Sequence, residues 1–328
     1  MFKNKLLTIF LVCLGLAILS FILISKRPEE QLMRVAIANW GPHSSLEETI
    51  RGLKDGLKQS GFQEGVQIQF DQSDVNFDPS LIGQMIAKLK AQHPKVIVAL
   101  STPVAQRAKG DVKDIPIVFT DVTDPVSAGL IGEDLKASGN LTGVSEKQDL
   151  DAFIDFVQKI LPNAQKIGIL FATAEANDRA LVKMMEAAAA HHSMQVFAVP
   201  VDEPRDIPIR MQKFRDNVDL IYVGTSGPIQ PSLPAIVNEA DRMKIPVFNA
   251  DADHVKNHQT LGAFAVSYYQ VGLNTAKLVK EILNGAKPES LAPIFPSLQD
   301  HAGFISKRKA RELGMNIPTT LQNTTLVD

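Results

Sequence analysis

Lys95–Gln106 reads KVIVALSTPVAQ, and Ile115–Pro125 reads IPIVFTDVTDP. Both phrases return later, as DLIYVGTSGPIQ at Asp219–Gln230 and IPVFNADAD at Ile245–Asp253. In each half a short apolar run ends in hydroxyl residues near a proline and leads into a helical stretch. A second apolar run then opens with Ile-Pro and closes on aspartates. Short, wholly apolar runs of this kind are strands buried on both faces of a parallel sheet. One α/β unit written twice predicts two similar lobes that meet across a cleft.

The pattern extends outward in both directions. VAIAN, VQIQF, KVIVAL and IPIVFTD read as strands alternating with helices. SLEETIRGLKDGLKQSG is a helix stopped by Gly61, and DPSLIGQMIAKLKAQ is a helix opened by Asp78 and Pro79. After NLTGVS the alternation restarts. KIGILFA, QVFAVPV, DLIYVG and IPVFNA are strands, separated by helices that include DAFIDFVQKIL, NDRALVKMMEAAAAHH and SLPAIVNEADRMK. This order predicts an α/β protein of two Rossmann-like lobes with parallel sheets, joined by a hinge without a long linker. The expected division is 31–146 plus about 266–328 for the first lobe and 147–265 for the second. LGAFAVS is expected to run back toward the first lobe. YYQVGLNTAKLVKEILNG reads as a long helix, followed by a Pro-rich segment and a weakly helical SKRKARELG.

The bulk numbers agree with a globular chain. It has 328 residues, 45% hydrophobic and 21% charged, with a formal net charge of -2. No basic patch stands out, so nucleic acid is not an expected partner. The single cysteine, Cys13, leaves no intramolecular disulfide and excludes thiol catalysis in a cleft. It lies in Leu6–Ile24, an uncharged apolar run about long enough to cross a ~30 Å hydrocarbon core. Residues 1–30 therefore read as a membrane anchor or signal segment that places the rest outside the cytoplasm. The run is long for a cleaved signal and lacks a small-x-small site, which favours the anchor.

Ligands of open parallel sheets bind at the carboxyl ends of strands. Those ends carry Asn39-Trp40-Gly41-Pro42-His43, Ser101-Thr102-Pro103, Thr120 to Pro125, Thr225-Ser226-Gly227 and Asn249 to Asp253. Ser101 and Thr102 before a proline predict a helix N-terminus facing the cleft, an anion site suited to a carboxylate. Asp121 or Asp251 opposite it could hold an ammonium. Trp40, the one tryptophan, offers an aromatic or cation–π face. Together these describe an amino-acid zwitterion. Asp251, Asp253, His254 and His258 have metal-ligand chemistry, but no Glu is placed beside them as a general base, and the reading assigns no metal. GxSxG, P-loop and GxGxxG signatures are missing, so catalytic residues and cofactors are expected to be none.

Taken in order, ALSTPVAQRA, IPIVFTDVTDPVSAGLI, NLTGVS, DLIYVGTS, AIVNEADRMKIPVFNADADHVK and YYQVGLNTAKLVKEILNGAKP resemble the substrate-binding proteins of ABC transporters of the tryptophan/tyrosine type. The likeness runs from Leu32 to about Leu321. It implies a two-lobed, type I-like periplasmic-binding-protein fold that closes on a small molecule, often an amino acid or related carboxylate. It also implies delivery to an ABC permease with a cytoplasmic ATPase. Carried over residue by residue, it implies ligand contacts at Ser101, Thr102, Thr120, Thr123, Asp124, Asn177, Thr225 and Asp251. Ser226 stands where the family often has Asp, and ANWGPH departs from the usual His-Pro order. A monomeric transport protein is the expected form. A ligand sensor for a membrane partner and an enzyme using the cleft aspartates are the alternatives.

Overall fold

A computed structural model describes residues 32–318 and 321–328. The anchor expected in 1–30 lies outside the described residues. Among the described residues no helix is long and apolar enough to cross a membrane.

The first sheet is built from β1 (Met33–Asn39), β2 (Ile68–Asp74), β3 (Val96–Leu100), β4 (Ile117–Val122) and β5 (Leu141–Ser145), in the order β2-β1-β3-β4-β5. All four pairings are parallel. The crossovers carry α1 (Ser44–Gln59), α2 (Ile82–Lys90) and α3 (Thr102–Asp111). Every residue of β3 is buried, as its unbroken apolar run requires.

The second unit begins with α4 (Leu150–Ile160), β6 (Lys166–Phe171), α5 (Ala176–His191), β7 (Gln195–Pro200) and α6 (Ile207–Met211). It continues through β8 (Leu220–Val223), α7 (Leu233–Met243), β9 (Val247–Asn249), α8 (Asp253–Lys256) and β10 (Gly262–Val266). Its sheet runs β7-β6-β8-β9-β10 and repeats the strand order of the first. The echoed phrases occupy matching places: β3 pairs with β4 as β8 pairs with β9. Separate apolar cores lie on the sheets of the two lobes.

The C-terminal part corrects the expected division. LGAFAVS does not return to the first lobe: β10 pairs with β9 in the second sheet. Helix α9 (Tyr268–Leu283), capped by Ser267, then packs on α1, and Ile294 bridges to Val144 beside β5. The chain crosses back once more. Strand β11 (His301–Ser306) pairs antiparallel with β10, α10 (Lys307–Glu312) follows, and β12 (Thr324–Val327) adds the edge. Strands β11 and β12 thus belong with the second sheet, not the first. The reason is edge pairing: β10 would otherwise present unpaired backbone groups, and β11 covers them.

Candidate functional site

A cleft lies where the carboxyl ends of the two sheets face each other, with about 520 Å³ of space between its walls including the part open to solvent. Of the residues expected there, Trp40, Ser101, Thr102, Asp121, Thr123, Asn177, Thr225, Ser226 and Asp251 line it. Thr120 and Asp124 do not. Thr120 is fully buried and accepts a hydrogen bond from Thr275 Oγ1 of α9, 2.9 Å away. Asp124 closes its own turn, accepting from the N–H groups of Val126 and Ser127, each at 3.0 Å. The sequence missed His43, Phe77, Glu146, Gln230 and Tyr268, which also line the cavity. Glu146 and Tyr268 directly follow β5 and the Ser267 cap after β10. The strand-end rule applied to every strand would have found them.

Local backbone geometry sets the walls. Ser101 has φ 77 and ψ 155, and Asp121 has φ 54. Neither is glycine, so both store strain of about 1–3 kcal/mol. At Asp121 the register of β4 against β5 shifts between Phe119 and Val122. Neighbours along a strand face opposite sides, so Thr120 goes under α9 while Asp121 faces the cavity. No side chain caps the start of α3 at Ser101, so the N–H groups of its first turn remain available to an anion.

The cavity is acidic and contains no Lys or Arg in its walls. Asp121 Oδ1 accepts from Thr49 Oγ1 at 2.9 Å, while its Oδ2 is buried without a partner. Burial, and then the nearby Glu146, push the Asp121 carboxyl far above its usual range. Glu146 Oε1 accepts from Thr123 Oγ1 at 2.6 Å and from Thr225 Oγ1 at 3.2 Å. Burial raises Glu146 to about 7 against those hydrogen bonds. Behind Asn177, burial and the adjacent Glu175 raise Asp178 to about 7, opposed by the Ala172 N–H and the Ser226 hydroxyl. His43 is held below its usual value by burial, with Asp251 pulling the other way. Asp251 is tied to the first lobe by Ser44 Oγ, which donates to its Oδ2 at 2.9 Å.

Several buried polar atoms of the lining residues find no partner among the described residues: Trp40 Nε1, Asp121 Oδ2, Asn177 Oδ1 and Tyr268 OH. Trp40 packs edge-on to Phe77, with centroids 6.1 Å apart. Its indole Nε1 also lies against Gly227 of the second lobe, where a Cβ would overlap it. Hydroxyls meet across the lobes as well, with Thr123 Oγ1 3.2 Å from Thr225 Oγ1. The arrangement can enclose a small molecule that has an anionic end, a cationic end and an aromatic body.

A family model described as ABC transporter substrate binding protein matches residues 34–325. A tyrosine-binding protein of Clostridioides difficile (strain R20291) is 28% identical over 260 residues, 79% of this chain and 75% of that one. The structure of an ABC domain from Streptococcus pneumoniae in complex with L-Trp superposes with a TM-score of 0.85 at 26% identity, covering 91% of this chain and 100% of that one. A ligand-free, open substrate-binding protein with adhesive properties from Clostridium difficile is also 26% identical, over 90% of this chain and 99% of that one. Its TM-score is 0.70.

Proposed function

This chain belongs to the ABC transporter substrate-binding proteins, and from that premise we propose that it binds an aromatic L-amino acid between its lobes. It then presents that ligand, outside the cytoplasm, to a membrane permease driven by a cytoplasmic ATPase, with the sequence segment 1–30 as its anchor or signal. The observation that carries the reading is the group of buried, unpartnered polar atoms contributed by both lobes to one cavity. A buried polar group left unpaired costs about 1–3 kcal/mol. An amino acid supplies the missing partners: its ammonium for Asp121 and Glu146, its carboxylate for the start of α3, and its ring for Trp40 and Phe77. Two relatives support the aromatic choice, one being a tyrosine-binding protein and the other a complex with L-Trp. At equal identity this chain superposes better on that complex than on the open, ligand-free relative. The lobe contacts described above are therefore read as the closed form, reached by hinge motion. The missing acid at Ser226 is made good by Glu146, from the opposite lobe.

The test is a thermal-shift screen of the amino acids followed by calorimetry. L-Trp or L-Tyr at about 1,000 times Kd is expected to add about 4 kcal/mol and raise Tm by roughly 8–16 °C. A flat response to all amino acids would overturn the reading.

The binding should depend on pH. A bound ammonium favours ionised carboxylates, so it expels the proton that Glu146 holds below about 7. Affinity is expected to fall as pH drops through that value, by up to about tenfold per unit. Calorimetry in buffers of different ionisation enthalpy would show the released proton. An affinity that is flat from pH 8 to 5, scanned in about one-unit steps, would place the ammonium away from Glu146.

Closure itself can be tested at Gly227. A Val side chain there would strike Trp40 Nε1 and Glu175 Oε1. The lobes could then not meet fully, and Gly227→Val is expected to weaken amino-acid binding by about 10–100-fold. Ligand-free stability should change little, because Gly227 lies on a loop outside both cores. Unchanged affinity would show that Trp40 need not approach this loop.

A further inference from the structure

Of Asp251, Asp253, His254 and His258, grouped by sequence, only Asp251 and His254 come together. Lys256 Nζ takes Asp253 at 2.7 Å, and His258 Nδ1 lies 2.9 Å from Ser306 Oγ. A residue from the other lobe completes a different set. His43, just before α1, joins Asp251 and His254, and one ligating atom of each lies within 4.8 Å of the others. Asp251 Oδ2 is 4.0 Å from His254 Nε2 and 4.0 Å from His43 Nδ1. The two imidazole centroids are 5.7 Å apart.

Both Nε2 atoms of this pair are buried and have no hydrogen-bond partner among the described residues. The rings are nevertheless held. His254 Nδ1 stands 2.6 Å from Gln259 Oε1, an acceptor, so Nδ1 carries the proton and Nε2 presents a lone pair. His43 Nδ1 stands 2.8 Å from Ser45 Oγ and accepts from the Ser45 N–H at 3.3 Å, so a metal at His43 Nε2 displaces the proton carried there. Ser44 Oγ fixes Asp251. Hydrogen bonds that orient ligating imidazoles and carboxylates in this way are what metal sites require.

We propose that His43, Asp251 and His254 form a Zn²⁺ site that bridges the two lobes. Two imidazoles and one carboxylate suit Zn²⁺ and not the oxygen-seeking Ca²⁺ or Mg²⁺. Bonds of about 2.0–2.2 Å bring tetrahedral ligand atoms to roughly 3.3–3.6 Å from one another. Closing up from separations of up to 4.8 Å takes rotation of the side chains. Three protein ligands leave a position for water or for another bound molecule. Because His43 belongs to the first lobe and the other two residues to the second, the ion binds the closed form and shifts the balance toward it.

The experiment titrates the full chain with Zn²⁺ alone, by calorimetry and by Co²⁺ absorption, with no amino acid present. One ion per chain is expected, with tetrahedral Co²⁺ absorption. His254→Ala and the more conservative His254→Gln should each weaken Zn²⁺ binding by at least about tenfold, and His258→Ala should not. His254 does not line the amino-acid cavity. Its variants should therefore keep the L-Trp or L-Tyr thermal shift, which also proves them folded and separates this proposal from the transport reading. Absence of Zn²⁺ binding, binding untouched in both His254 variants, or binding equally weakened by His258→Ala would overturn the site.

Discussion

Replacing Glu146 by Gln is expected to weaken amino-acid binding by about 100-fold and yet stabilise the ligand-free protein above neutral pH. The first effect follows from charge. A buried hydrogen bond between ions contributes about 1.5–3 kcal/mol, and Gln keeps the shape while removing the negative charge. The hydroxyls of Thr123 and Thr225, which donate to Oε1, can still donate to the amide oxygen. The second effect follows from linkage. Burial outweighs the hydrogen bonds of the folded carboxyl and raises it from its usual 4.5 to about 7. Its contribution to stability is thus complete below the unfolded value and is lost as pH rises through about 7. Gln does not titrate. The variant's gain should reach on the order of 1–3 kcal/mol above that pH and vanish toward acid pH. Melting curves across this range, with calorimetry on L-Trp and L-Tyr, check both halves. An affinity that survives the change would move the ammonium to Asp121 alone.

Gly272→Ala is expected to cost about 3 kcal/mol, a fall in Tm of roughly 6–12 °C. Gly272 of α9 and Gly52 of α1 face each other where the helices cross. A Cβ at Gly272 would overlap the Thr49 carbonyl oxygen and lie 2.9 Å from Gly52 Cα. These are backbone atoms, so no side chain can swing aside and the helices must part. Thr49 also donates to Asp121, so the displacement reaches the cavity wall. A fall of less than about 2 °C would show that the crossing yields easily.

Much of the fold and part of the cavity were legible in the chain, for a local reason. Buried parallel strands must be short and apolar, and their carboxyl ends must turn into helices. The places of Ser101, Asp121, Thr225 and Asp251 follow from that rule alone. Thr120 was misplaced because it came with the family resemblance, whereas strand alternation puts it on the face opposite Asp121. Asp124 was misplaced because an aspartate in a strand-end loop reads the same whether it faces a ligand or closes its own turn. Glu146 stands at a strand end, where the same rule reaches it, but its importance comes from what surrounds it.

The sequence by itself determined the doubled α/β unit, the strand ends that carry polar residues and the family to which the chain belongs. These depend on periodicity and local chemistry, which the chain writes residue by residue. Only the tertiary structure decided that β11 and β12 return to the second lobe, that Glu146 meets Thr225 across the hinge, and that His43 rather than His258 stands beside His254. Each depends on residues far apart in the chain being brought within a few ångströms. Such pairings are selected by the shape and burial of the folded whole and have no period for the sequence to display.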